Sequence, residues 1–217
     1  MDAKPRNVFS ALAVTAILTL ASFGAYAQAA TTEITDAAER KAIVAQAEKY
    51  LNSITTMQSR FTQANQDGSI DSGVFYLSRP GRLRFQYDPP KKDYIVADGL
   101  FVHFWDDSMK NGSDAPIGAT LADFLLKKRI SLSGDLKVTG VRRPQPGTLV
   151  LTLIQTKNPE AGDLRLLFDE APMQLVKWRV TDGTGNITEV TLSNTQAGVK
   201  LDPRLFVYKP PKGYEGK

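Results

Sequence analysis

The sequence predicts a mainly β protein, in which one long antiparallel sheet is covered by a few short helices. Two observations lead to this prediction. Apolar and polar residues alternate over much of the chain between Met57 and Tyr208. Turn-forming residues interrupt this alternation about every 8–12 residues, the spacing expected of antiparallel sheet proteins, which predicts about ten to eleven strands.

The first predicted element after residue 30 is a helix. Between Glu39 and Ile54 the apolar residues recur at helical spacing and the charged residues lie elsewhere. This pattern is typical of a helix with one buried face. The apolar stripe consists of Ile43, Ala47, Tyr50, Leu51 and Ile54.

Strand patterns follow. Over residues 82–87 the chain alternates between apolar and polar side chains, as in a strand with one buried and one solvent-exposed face, and the apolar members are Leu83, Phe85 and Tyr87. Residues 149–153 and 164–168 contain further rows in which every second residue is apolar. The predicted turns contain Asp67-Gly68, Asp98-Gly99, Asp182-Gly183, Pro144-Gln145-Pro146-Gly147 and Ala171-Pro172.

One segment differs from these strands. Residues 111–119 are rich in Gly, Ser and Pro and are predicted to form a loop. Residues 120–129 then predict a second short helix, with Thr120 as its N-cap, Asp123 in its first turn and basic residues in its last. Its apolar face would consist of Leu121, Phe124, Leu125 and Leu126.

A sheet of this size with one apolar face has to curl, pair with a second sheet or be covered. Helices lying in the mouth of a curled, unclosed barrel would cover it, and the space between them and the sheet would be an apolar ligand cavity. A tightly packed sandwich of two sheets is compatible with the same strand patterns. The sequence contains no repeat or long linker, so one domain over residues 28–217 is expected.

Residues 1–27 have the organisation of a cleaved signal peptide. Lys4 and Arg6 precede an apolar run over 8–23, and Ala25-Tyr26-Ala27 is the small-x-small pattern at which a signal peptidase cuts. The run is too short and too rich in Ala for a membrane span, which needs about 20 strongly apolar residues. Cleavage after Ala27 or about two residues later is expected, with the mature protein in the periplasm.

Composition and motifs exclude several classes of protein. The sequence has no cysteine, which excludes disulfide scaffolds, thiol enzymes and acylation at a mature N-terminal Cys. The 27 basic and 23 acidic residues are spread along the chain, which argues against nucleic-acid binding. His103 is the single histidine and is interpreted as a structural residue, because acid–base or metal chemistry needs partners. No enzymatic activity, metal site or cofactor is therefore predicted.

Several motifs occur in a fixed order between about residues 40 and 213. They are Phe61-x-Gln63, a strand that begins at Gly73-x-Phe75 and ends in Arg79-Pro80, the aromatic strand at 83–87, Asp98-Gly99, and Phe206-x-Tyr208-x-Pro210-Pro211-x-Gly213. In this order they resemble the LolA family, the periplasmic carriers of outer-membrane lipoproteins. Family members often have Trp where this chain has Phe85.

The resemblance implies a fold and a role. The fold would be an unclosed antiparallel barrel capped by short helices. The protein would be a monomer that accepts lipoproteins from the inner-membrane LolCDE transporter and shields their acyl chains. It would deliver them to the outer-membrane receptor LolB or to the outer membrane directly.

The resemblance also implies site residues. Arg79 would be the lid latch, which bonds backbone carbonyls of the lid and holds the empty carrier shut. The acyl-chain cavity would be lined by Leu83, Phe85, Tyr87, Phe75 and Leu77. The inner face of the lid would be Leu121, Phe124, Leu125 and Leu126. From the residues alone, all of these apolar side chains could equally form an ordinary core.

Two other functions are compatible with the same fold. One is a periplasmic carrier of another lipid, such as a glycolipid or an isoprenoid. The other is an interaction module that senses lipoproteins, although such relatives usually carry a second domain or a membrane anchor.

Overall fold

The computed structural model describes residues 31–119 and 121–209. The predicted signal peptide, the Thr120 N-cap and the closing motif beyond Lys209 lie outside these residues. The elements in chain order are β1 Thr32–Glu33, α1 Ala37–Ser53, β2 Thr56–Ala64, β3 Ile70–Ser78, β4 Arg82–Tyr87, β5 Tyr94–Asp98, β6 Phe101–Asp106, β7 Asn111–Pro116, a 3-10 helix Leu121–Leu126, β8 Leu136–Arg143, β9 Thr148–Gln155, a 3-10 helix Pro159–Ala161, β10 Gly162–Glu170, β11 Met173–Asp182, β12 Ile187–Ala197 and a 3-10 helix Pro203–Phe206.

In the described part of the chain, the strands form one 12-stranded antiparallel sheet in the order β1-β8-β9-β10-β11-β12-β2-β3-β4-β5-β6-β7. The sheet is unclosed, because β1 and β7 stand at its two ends. The predicted fold class is thus confirmed, and the sandwich of two sheets is not formed.

The sheet is strongly curved. The ring of Trp178 on β11 lies 5.8 Å from that of Phe75 on β3 and 6.3 Å from that of Phe85 on β4, between centroids. Three strands separate β11 from β4 in the sheet. In a flat sheet these two strands would be about 19 Å apart. Curvature therefore brings the apolar faces of distant strands into contact.

Helix α1 forms as its sequence predicts and covers part of the concave face. Asp36 caps its N-terminus, since its side chain accepts a hydrogen bond from the amide of Glu39 at 2.7 Å. The predicted stripe is buried at Ile43, Ala47, Leu51 and Ile54. Tyr50 is half-buried and packs edge-to-face on Phe168 of β10 at 6.2 Å between centroids.

The apolar rows of the second half of the chain form the floor of the core. These side chains are at most 1% exposed and are Leu149, Leu151, Leu153, Leu164, Leu166 and Phe168. They belong to the same cluster of buried side chains as α1 and the Leu121–Leu126 helix. The covering elements and the sheet thus share one core.

Two details of the sequence prediction were wrong. Residues 111–116 form β7, which pairs with β6, and not a loop. An edge strand needs no hydrogen bonds on its free side, so this position tolerates the Gly, Ser and Pro that suggested a loop. The second helix is a 3-10 helix that ends at Leu126, and the basic residues predicted for its last turn lie in the bend that follows.

Within the described ranges, no helix combines the length and the apolar character that crossing a membrane requires.

Gly73 of β3 permits close packing between neighbouring strands, which leads to a prediction. A Cβ added there would lie 2.2 Å from the carbonyl oxygen of Gln86 and 2.6 Å from the ring of Phe61. Because overpacking costs about 1–3 kcal/mol, we expect Gly73→Ala to lower the free energy of unfolding by about 2 kcal/mol or more in urea titrations.

The matched control is Gly140→Ala in β8, where the nearest atoms to an added Cβ are 3.7 Å away. This variant should be as stable as the wild type or slightly more so, because alanine restricts the unfolded chain. Equal effects of the two substitutions would contradict the packing argument.

Candidate functional site: the concave wall and its lid

The side chains predicted to line the cavity lie together on the concave face of β3 and β4. The pairing of the two strands places these side chains next to each other, since Phe75 lies opposite Phe85 and Leu77 lies opposite Leu83. All of them are at most 9% exposed, namely Phe75, Leu77, Leu83, Phe85 and Tyr87. We refer to these five residues as the wall.

Two aromatic residues that the sequence analysis did not assign to the cavity complete the wall. The ring of Phe61 lies 5.0 Å from that of Phe85 and 5.3 Å from that of Tyr87, both edge-to-face. Trp178 of β11 contacts Phe75 and Phe85 across the interior of the curved sheet. The alternation of β2 could have identified Phe61, because Met57, Ser59 and Phe61 lie on one face. The alternation of Trp178 and Val180 with Lys177 and Arg179 indicates the apolar face of β11, but no local pattern shows that Trp178 contacts β3 and β4.

Tyr87 provides a polar group at the edge of the wall. Its hydroxyl donates a hydrogen bond to Oε1 of Gln63 at 2.9 Å, and the ammonium of Lys91 lies 4.9 Å from the centre of its ring. Burial raises the pKa of Tyr87 well above its ordinary value. The phenol therefore stays protonated and neutral at any physiological pH.

The 3-10 helix Leu121–Leu126, which we call the lid, points its apolar side chains into the sheet. Leu121, Phe124, Leu125 and Leu126 are between 2% and 4% exposed. Phe124 packs edge-to-face on Trp178 at 6.3 Å between centroids. The predicted lid residues thus share one buried cluster with the wall, and in this conformation the chain's own side chains occupy the space between them.

A cleft opens where the lid meets the far half of the sheet. It has a volume of about 290 Å³. Leu121, Phe124 and Lys127 line one side, and Leu136 and Gln155 of β8 and β9 line the other. The lid is thus open to solvent along one of its edges while its inner face is buried.

Arg79, in the turn between β3 and β4, connects the end of the lid to the end of α1. Its Nε and Nη2 donate to the carbonyl of Lys127 at 2.9 and 2.8 Å, and Nη2 also donates to Lys128 at 3.2 Å. Its Nη1 donates to the carbonyls of Leu51 and Ile54 at 2.6 and 3.0 Å. Burial lowers the pKa of Arg79, but a guanidinium remains charged throughout the physiological range.

Two further side chains of α1, neither of which was predicted from the sequence, hold the segment after the lid. Asn52 donates to the carbonyl of Ile130 at 2.8 Å and accepts from its amide at 2.9 Å. A carboxylate oxygen of Glu48 accepts from the amide of Leu132. Their partners are more than 75 residues away in the chain, so local sequence patterns carry no signal for these contacts.

The lid is also tied to the turn that carries Arg79. The amide of Gly81 donates to the carbonyl of Leu126, the last lid residue, at 2.8 Å. Apolar side chains therefore hold the middle of the lid, and polar contacts to backbone groups hold its end.

His103 lies apart from the wall and the lid residues, on the convex side of β6. Its Nδ1 is 2.7 Å from a carboxylate oxygen of Asp114, and its Nε2 is 3.1 Å from one of Asp98. Its ring stacks on that of Tyr208 at 4.0 Å between centroids. These contacts join three segments of the chain. Among the described residues, no group of three or more His, Cys, Asp and Glu side chains could hold a metal ion.

Comparison with known proteins agrees with this geometry. Residues 52–209 match the sequence model of a family described as outer membrane lipoprotein carrier protein LolA. The chain belongs to the LolA family. The match extends from the end of α1 through the wall, the lid and all strands from β2 to β12.

Similar proteins of this family occur in several bacteria, each named outer-membrane lipoprotein carrier protein. The one from Methylococcus capsulatus is 28% identical over 76% of this chain and 83% of its own. The one from Legionella pneumophila (strain Corby) is 31% identical over 76% of this chain and 84% of its own. The one from Alkalilimnicola ehrlichii is 31% identical over 81% of this chain and 84% of its own.

The contacts of Asn52 generate a prediction for this LolA-family chain. Asn52→Ala would leave the amide and the carbonyl of Ile130 without their side-chain partner. Because such a bond contributes about 1 kcal/mol, we expect hydrogen exchange at the amide of Ile130 to accelerate about fivefold or more.

Asn52→Asp is the matched control, since a carboxylate would still accept from the amide of Ile130 and from Nη2 of Arg79, which lies 3.4 Å from Oδ1 of Asn52. Its acceleration at Ile130 should be smaller, and the amide of Leu166 in β10 should be unaffected in both variants. Unchanged exchange at Ile130 in Asn52→Ala would show that Asn52 does not hold this segment.

Proposed function

We propose that this protein is a periplasmic carrier that binds the acyl chains of lipoproteins released from the inner membrane and delivers them to the outer membrane. The observation that carries the proposal is a wall that is apolar except for the Tyr87 hydroxyl at its edge, covered by an apolar lid whose end is held by hydrogen bonds to backbone carbonyls. The names of the related LolA proteins support the same cargo.

The free energy of exposing acyl chains to water explains why such a carrier is needed. Each methylene in water costs about 0.8 kcal/mol, so one long acyl chain costs on the order of 10 kcal/mol. Only a protein interior that buries the chain along most of its length can offset this cost. The concave face supplies such an interior, since its buried side chains on β2–β4 and β9–β11 are aromatic or aliphatic apart from Ser59.

The lid can exchange places with the cargo. Its four apolar side chains occupy the interior in the empty protein, which avoids a cavity that would cost about 24 cal/mol per Å³. When cargo enters, acyl chains replace these side chains against the wall, so one apolar contact is exchanged for another. Binding is then tight but reversible, without an energy source.

We infer that Arg79 is the latch of this lid. Its guanidinium donates to carbonyls on both sides of the joint, at Lys127 and Lys128 after the lid and at Leu51 and Ile54 of α1. Charged hydrogen bonds contribute about 1.5–3 kcal/mol each. A few of them favour the closed lid without locking it, because carbonyls, unlike carboxylates, bring no opposite charge.

The remaining parts of the proposal concern export and partners. Residues 1–27 would direct export and be removed, leaving residues 28–217 as one carrier domain. The carrier would receive cargo from the LolCDE transporter and pass it to the receptor LolB or to the outer membrane itself. It would act as a monomer, without a cofactor and without catalysing a reaction.

A binding experiment tests the cargo class. Trp178 contacts both the wall and the lid, so its fluorescence should report loading when Trp105, on the convex side, is replaced in a Trp105→Phe background. We expect a peptide with a diacylglyceryl-modified N-terminal Cys to shift the Trp178 emission saturably. The same peptide without acyl chains should not do so.

Two outcomes would count against the proposal. Equal responses to the acylated and the unacylated peptide would show that the interior does not recognise acyl chains. A response only to an isoprenoid phosphate or a glycolipid would identify a carrier of another lipid.

The latch generates a separate prediction. We expect Arg79→Leu to fold normally and to bind the acylated peptide, but to release it to acceptor liposomes at least about tenfold more slowly, since the closed lid that expels cargo loses at least one charged hydrogen bond. Arg204→Leu is the control, because Arg204 is largely exposed and pairs only with Asp202 among the described contacts. Release at the wild-type rate from Arg79→Leu would refute the latch.

A further inference from the structure

Two large, exposed apolar side chains lie at the turn between β5 and β6 beside the lid, and the ring of Phe101 is 6.3 Å from that of His103 on the convex side. Leu100 is 75% exposed and Phe101 is 45% exposed, and we call this pair the apolar tip. They follow Gly99, whose φ of 116° forms the tight turn between β5 and β6. An exposed pair of this kind marks an interaction site more often than a scattered single residue does.

The turn under the apolar tip is rigidly built. One carboxylate oxygen of Asp98 accepts from the amides of Leu100 and Phe101 at 2.9 and 3.0 Å, and the other faces the ring of His103. Burial alone would raise the pKa of Asp98, but the two amides and His103 outweigh it and lower this pKa to about 2. The carboxylate of Asp98, whose side chain is 34% exposed, is thus held in place by the turn that it supports.

The apolar tip is connected to both ends of the lid. The carbonyl of Leu100 accepts from the amide of Ile117, in the segment that enters the lid, at 3.1 Å. Gly99 packs against Gly81, where an added Cβ would lie 3.0 Å from the Cα of Gly99. Gly81 in turn bonds the last lid residue, Leu126. Whatever the apolar tip touches therefore lies beside the lid.

Basic side chains follow the lid at the same place. Lys128 and Arg129 are exposed and come directly after the residues that bond Gly81 and Arg79. The neighbouring Lys127 is paired with Asp135 at 2.7 Å, so it contributes little net charge. The edge of the lid thus presents projecting apolar side chains together with two exposed cations.

We propose that the apolar tip, with Lys128 and Arg129, is a docking site for the surface of an anionic lipid bilayer. Peripheral binding to a bilayer grows with the apolar area inserted and with attraction between cations and anionic lipids, and this edge offers both. Two projecting side chains insert into fluid hydrocarbon without a preformed pocket. A stable protein interface would instead need about 800 Å² on each partner.

This docking would place the lid against the membrane. Its use in delivery rests on the proposed function, since acyl chains leaving beneath the lid would enter the bilayer without crossing water. The physical contact itself does not depend on cargo and can be measured with the empty protein.

Vesicle co-sedimentation of the full mature chain without cargo tests the docking. We expect stronger partitioning to vesicles of phosphatidylcholine with phosphatidylglycerol than to phosphatidylcholine alone. Leu100→Ser combined with Phe101→Ser should reduce the partition coefficient about tenfold, because the inserted apolar area is lost. Lys128→Gln combined with Arg129→Gln should reduce it about 25-fold on the anionic vesicles only, at about 1 kcal/mol per charge.

Matched controls come from the opposite end of the strands. Ile70 and Met109 are 71% and 75% exposed and lie at the ends of β3 and β6 that are remote from the lid. Ile70→Ser with Met109→Ser, and Lys41→Gln with the exposed Lys92→Gln between β4 and β5, should partition like the wild type. Thermal unfolding should show that the apolar tip variants remain folded, as expected for exposed positions.

Three results would overturn the proposal. The first is equal wild-type partitioning to anionic and neutral vesicles. The second is wild-type partitioning of the apolar tip variant. If that variant instead loses only the transfer of cargo to a protein acceptor, the apolar tip is a protein-docking surface. The third is an equal loss in the Ile70 and Met109 control. Failure of acylated peptide binding in the Trp178 assay would refute the carrier function and leave the vesicle result intact.

Discussion

A curved sheet with one apolar face has to cover that face, and most of this structure follows from that constraint. Trp178 approaches Phe75 and Phe85 only because the sheet curls across β12, β2 and β3. The sheet does not close, so helix α1 and the lid cover the remaining opening. A closed barrel would have needed no lid and could have admitted no large guest except through its ends. The unclosed edge therefore creates both the problem of exposed apolar surface and a route for cargo.

The lid combines two kinds of contact that respond differently to a ligand. Its middle is held by apolar side chains, which hydrocarbon can replace at little cost in free energy. Its end is held by directional bonds from Arg79, Asn52, Glu48 and Gly81, which hydrocarbon cannot replace. Under the proposed function, an entering acyl chain would displace the middle and break bonds between Arg79 and the end of the lid, while Asn52 and Glu48 keep the following segment attached to α1. Because the backbone of residues 127–132 supplies most of the bonded groups, substitutions of the side chains there should change this attachment little.

The two faces of the first strands have different roles. The concave face of β4 carries the wall, whereas the convex face of β4–β6 supports the segment that ends at Tyr208, where His103 is held between two carboxylates and a stacked ring. The single histidine thus stabilises the back of the wall and lies away from the interior. The turn that joins β5 to β6 belongs to both faces, since Asp98 and the ring of Phe101 lie against His103 on the convex side while Leu100 is bonded to the segment that enters the lid.

The sequence by itself determined every feature that depends on local periodicity. Helix α1, the rows of β4, β9 and β10, and the apolar face of residues 121–126 were predictable, because alternation and helical spacing show which face of an element is apolar. The assignment of Phe75 and Leu77, with the β4 row, to a cavity came from the family resemblance. Arg79 stood out only through its place in a family motif. Tertiary structure alone decided that Trp178 joins the wall, that residues 111–116 pair as an edge strand, and that Asn52 and Glu48 hold the segment after the lid. These contacts join residues far apart in the chain. They depend on sheet curvature and strand register, and the pattern of neighbouring residues determines neither of these.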